Sequence, residues 1–84
     1  MPVGKGKEHA AEYRELVEIL RSQREAEGLT QAELANTLGK PQSYVSKIER
    51  GKRLIDPVEL RQLCDALGIN VVDVVRRWTS ASTR

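Results

Sequence analysis

Thr30-Gln31-Ala32-Glu33-Leu34-Ala35-Asn36-Thr37-Leu38-Gly39-Lys40-Pro41-Gln42-Ser43-Tyr44-Val45-Ser46-Lys47-Ile48-Glu49-Arg50-Gly51 is the stretch that decides the fold of this 84-residue chain. Thr30 with Glu33 three residues later has the form of a capping box, in which a hydroxyl and a carboxylate satisfy two backbone donors at a helix start. Leu34, Ala35 and Leu38 give that helix a buried face, and Gly39 stops it. Lys40-Pro41 forces a turn, because Pro41 has no amide proton and disfavours helical geometry at Lys40. The next helix begins near Pro41 or Gln42. Val45 and Ile48 are its inward positions, leaving Gln42, Ser43, Tyr44, Ser46, Lys47 and Arg50 as a polar outer surface until Gly51.

Upstream, Tyr13, Leu16, Val17 and Leu20 recur at i, i+3, i+4 and i+7, the stripe of an amphipathic helix over residues 8–27 that Gly28 ends. Residues 1–7 hold two glycines and a proline without apolar period, and read as a mobile arm with two positive charges. Downstream, Asp56-Pro57-Val58-Glu59 supplies an N-cap, a proline at the first helical position and an acidic third residue, predicting a helix from Pro57 to about Leu67. Leu60, Leu63, Cys64 and Leu67 form its core stripe. Gly68 closes it, and Asn70 caps a fifth helix carrying Val71, Val74, Val75 and Trp78, with a polar tail fraying from Thr79. The class is all-α, five helices with no strand pair.

Net charge is +2, but it is divided unevenly. Within residues 40–53, Lys40, Lys47, Arg50, Lys52 and Arg53 face only Glu49, whereas residues 8–27 set six glutamates against three arginines. A local basic patch is the electrostatic footprint of a nucleic-acid contact. Two short helices joined by a tight turn make a helix-turn-helix, whose second helix lies in the major groove while the first braces the backbone. The exposed residues suit that task. Gln42 can bond adenine N6 and N7, Lys47 can donate to guanine O6 and N7, Ser43 can donate or accept, and Tyr44 can reach a phosphate or a thymine methyl. Gln31 and Ser43 stand near helix N-termini, where backbone donors favour phosphate oxygens.

Residues 29–35, Leu38-Gly39 and residues 42–53 together strongly resemble the Cro and phage-repressor type, or XRE-type, helix-turn-helix family. The resemblance spans residues 16–75, with the motif at about 31–50. It leaves outside residues 1–15, the arm and an N-terminal extension of the first helix, and residues 76–84, the end of the fifth helix and its tail. It implies a five-helix lambda-repressor-like bundle. It implies base contacts from Gln42, Ser43 and Lys47 and phosphate contacts from Gln31, Lys40, Arg50, Lys52 and Arg53; Tyr44 is expected beside the base-reading residues and Ser46 among the phosphate contacts. An ion pair of Arg24 with Glu49 follows from matching positions. The chain departs from the family in placing Lys40-Pro41 where an apolar residue and a capping Ser or Thr usually precede the reading helix.

The expected function is a sequence-specific DNA-binding regulator, a repressor on a palindromic operator. The expected partners are double-stranded DNA and a second copy of the chain, meeting through Val71, Val74, Val75 and Trp78; the same stripe can alternatively close the core. A different reading is an antitoxin or adaptor that binds a protein partner such as a toxin and represses its own operon. No nucleophile with a base, no phosphate-binding glycine loop and no Cys/His set at metal spacing occurs, so neither an enzyme nor a cofactor or metal is expected. His9 lacks a neighbouring ligand and reads as solvated. Cys64 reads as core packing in a reducing cytoplasm, and no apolar run is long enough for a membrane span or an export signal.

Overall fold

The computed structural model describes residues 7–82, with side chains over 11–81. The arm expected at residues 1–7 therefore lies outside the described residues except for Lys7, which is helical, and the side chain of His9 also lies outside them. Five α-helices follow in order: α1 (Lys7–Ala26), α2 (Gln31–Leu38), α3 (Gln42–Glu49), α4 (Pro57–Leu67) and α5 (Val71–Ser82). No strand occurs among the described residues.

Local chemistry explains the boundaries. The Glu33 amide donates to Thr30 Oγ1 at 3.0 Å and the Thr30 amide to Glu33 Oε1 at 2.9 Å. Asp56 and Glu59 repeat the same reciprocal pair at the start of α4. Gly39 ends α2 at φ 70°, a left-handed conformation in which a Cβ would be strained, and its amide reaches the carbonyls of Ala35 and Asn36. At α5, Asn70 Oδ1 accepts from the Val72 amide at 2.7 Å.

Leu16, Val17 and Leu20 of α1 meet Leu34 and Ala35 of α2, Tyr44, Val45 and Ile48 of α3, Leu63, Cys64 and Leu67 of α4, and Val74 of α5 in one core. Burying each such aliphatic side chain contributes about 1.5–3 kcal/mol against leaving it exposed. No disulfide or candidate metal cluster supplements the core among the described residues. Among the described residues, no helix is long and apolar enough to cross a membrane.

Two expectations for α5 need correction. Val74 is fully buried, and Trp78 is half-buried with its indole N–H donating to the Glu12 carbonyl at 2.9 Å, so both seal α5 onto the bundle rather than offering themselves to a second copy. Residues 71, 74 and 78 fall on one helical face, and that face is turned inward. The helix also continues through Ser82 instead of fraying from Thr79, since Ala81 is half-buried and lies with Ile19 of α1 along the α1–α5 groove.

Candidate nucleic-acid interface

The α2–α3 turn fixes how α3 is presented. After Gly39, the Lys40 amide donates back to Ala35 at 2.9 Å, and Pro41 stands at φ −73°, ψ 157° as the N-cap of α3. Pro41 has no capping side chain, and although its carbonyl takes the Tyr44 amide at 2.9 Å, no side chain at the cap competes with an incoming oxygen for the amides of Gln42 and Ser43. The departure from the usual capping Ser or Thr thus leaves α3 starting at Gln42.

Along α3, Tyr44, Val45 and Ile48 are buried, Ser46 is half-buried, and Gln42, Ser43 and Lys47 are exposed, with Arg50 exposed just beyond its end. Lys40 and Lys52 are exposed on either side of the helix. The one carboxylate of this segment is drawn inward: the Glu49 side chain is only 8% exposed.

A hydrogen-bonded chain connects the core to this surface. Arg24 Nε donates to Glu49 Oε2 at 2.7 Å, Arg24 Nη2 donates to Glu49 Oε1 at 3.0 Å, and Arg24 Nη1 donates to the Leu29 carbonyl at 2.7 Å. Hydrogen bonding to Glu49 pushes the already high guanidinium pKa further up, outweighing burial. Gln31 Nε2 donates to Glu49 Oε1 at 2.8 Å, and Gln42 Nε2 donates to Gln31 Oε1 at 2.9 Å. The carboxylate sets the direction of the whole chain, because an acceptor-only group must face the Gln31 amide nitrogen, leaving the Gln31 oxygen for Gln42. Gln42 is held at its inner N–H while its second N–H and its carbonyl oxygen have no partner in this chain of bonds.

Two residues differ from expectation. Tyr44 does not face outward. Its ring is buried, with the Arg53 guanidinium carbon 4.8 Å and Lys40 Nζ 5.2 Å from its centroid, and burial pushes its phenol pKa up. The signal was present in the sequence, since Tyr44 precedes the inward-facing Ile48 by four residues and shares its side of the helix. Arg53 is engaged within the molecule: Nη2 pairs with Glu59 Oε2 at 2.8 Å and Nη1 donates to the Leu54 carbonyl at 2.9 Å. Its own carbonyl accepts from the Tyr13 hydroxyl at 2.6 Å. Its charge is therefore largely answered by Glu59. The sequence marked Tyr13 as part of the α1 stripe and Glu59 as a capping residue, but not their contacts with Arg53, because tertiary proximity, across 40 residues for Tyr13, leaves no local trace.

Comparison with known proteins agrees with this architecture. A helix-turn-helix family model matches residues 20–74. An HTH-type transcriptional regulator from Sinorhizobium fredii is 40% identical over 52 residues, covering 62% of this chain and 68% of that protein. An XRE-family like protein from Pseudomonas syringae superposes with a TM-score of 0.82 at 37% identity, over 87% of this chain and 89% of the other. The restriction-modification controller protein C.AhdI from Aeromonas hydrophila superposes with a TM-score of 0.70 at 36% identity, over 76% of this chain and 97% of the other. A capped α2, a tight turn, an α3 with its polar side outward and matched relatives lead to one assignment: the chain belongs to the XRE-type helix-turn-helix family of transcriptional regulators.

Proposed function

We propose that the chain is a repressor that binds a palindromic operator as a homodimer, each α3 lying in the major groove of one half-site. The observation that carries this reading is the division of α3 into a buried side of Tyr44, Val45 and Ile48 and an exposed side of Gln42, Ser43 and Lys47. Gln42 presents an amide edge suited to adenine, Lys47 an ammonium suited to guanine, and Ser43 a hydroxyl suited to either. Lys40, Arg50 and Lys52, with the half-buried Ser46, form the phosphate-contacting set around them. Gln31 acts mainly by holding Gln42, and Arg53 by supporting the loop after α3. Dimerisation gives each operator two reading helices about one duplex turn apart.

Selection of bound duplexes from a random pool tests the proposal. Enrichment of a sequence with twofold related halves is the expected result, and no favoured duplex at moderate ionic strength removes it. On the selected site, Gln42→Ala or Lys47→Ala loses about 1–3 kcal/mol and relaxes preference at one base position. Lys52→Ala weakens all sequences alike and lowers the salt slope by about one unit.

A further inference from the structure

We propose that Tyr44 is a positioning residue that seats the Lys40 ammonium for a DNA phosphate at the start of α3. The inference rests on the DNA-binding reading above. Tyr44 is buried, yet the Lys40 ammonium and the Arg53 guanidinium both stand against its ring, at 5.2 Å and 4.8 Å from the centroid. The two cations have different fates. Arg53 is pinned by Glu59, by the Leu54 carbonyl and, through its own carbonyl, by Tyr13. Lys40 is exposed and has no ion pair with a carboxylate among the described residues. Glu59, Arg53 and Tyr44 thus make a strut from the N-terminus of α4, at whose end the ring's negative face attracts an ammonium that is otherwise free on four rotatable bonds. Lys40 lies just before the Pro41 cap, beside the positive end of α3, where a phosphate is favoured. The strut presents the charge already ordered, so less freedom is lost on contact.

The test measures the salt dependence of binding to the selected duplex for wild type, Lys40→Ala, Tyr44→Leu, Tyr44→Phe and the Lys40→Ala/Tyr44→Leu double variant, with a thermal melt of each. One lost phosphate contact lowers the slope of log K against log salt by about 0.9. Lys40→Ala shows this loss, Tyr44→Leu shows part or all of it, the double variant shows no more than Lys40→Ala, and Tyr44→Phe keeps the full slope. Base preference stays unchanged throughout. A Tyr44→Leu protein that melts lower but keeps the wild-type slope, or additive losses in the double variant, overturns the proposal while leaving DNA recognition intact. Absence of any favoured duplex for the wild type defeats both. NMR of the free wild-type protein reads the seat without any variant: ring-current displacement of the Lys40 ε-methylene signals is expected, and unshifted signals overturn the proposal.

Discussion

Glu49 shows how much a single side chain decides here. Its two oxygens receive Arg24 twice and Gln31 once, so one carboxylate neutralises a guanidinium in a residue only 8% exposed and orients the amide that holds Gln42. A well-packed apolar pair in its place would be comparably stable, but removing one partner strands the other charge. Glu49→Ala is therefore expected to destabilise the fold by about 3–5 kcal/mol in urea unfolding. Gln31→Ala leaves the ion pair intact, and its main effect falls on affinity for the selected duplex. Cys64 provides a pH prediction. Burial, reinforced by Asp65, pushes its thiol pKa up, so the folded state holds this proton more tightly than the unfolded chain does. The associated stability is complete below the ordinary thiol pKa of about 8.5 and is lost as pH rises through the higher folded value. Urea melts at about pH 8 and pH 10 should show a smaller decline for Cys64→Ala than for wild type. Such residue-level facts were partly legible. The outward Gln42, Ser43 and Lys47 followed from helical period and the Arg24 pair from family resemblance, whereas the Arg53 anchorage depends on atoms that only the folded chain brings together.

Helix starts were the most legible elements, because a cap is written within four residues. Thr30 with Glu33 and Asp56 with Glu59 each state a local hydrogen-bond exchange that the fold then makes. Glu59 additionally spends its second oxygen on Arg53. Asp56→Ala should cost about 1 kcal/mol, the usual worth of an N-cap, whereas Glu59→Ala should cost more by releasing Arg53 as well. Thermal melts of the two variants check the order, and equal losses would show that the Arg53 pair adds nothing. The far end of α5 was not legible. Thr79, Ser80 and Ser82 lack apolar character, and the helix persists because neighbouring side chains from α1 shelter Ala81, a long-range effect that propensity does not encode.

For the molecule as a whole, the sequence left open whether the apolar stripe of α5 closes the core or meets another copy. The two tasks fall to different faces. Val74 and Trp78 turn inward, while Val72 and Val75 remain 55% and 39% exposed beside Arg76 and Thr79. The proposed dimer is accordingly expected to use Val72 and Val75 rather than Val74. Val75→Asp should convert dimer to monomer in sedimentation experiments and reduce full-operator affinity to that of a half-site, with little change in intrinsic fold stability. Val74→Asp should instead unfold the domain, since a carboxylate would enter the dry core. Trp78, the chain's one tryptophan, joins α5 to the carbonyl of Glu12 on α1. Its fluorescence is thus a native optical gauge of whether the outermost helices remain zipped together, and loss of that seam during heating or partner exchange would be visible without attaching any dye.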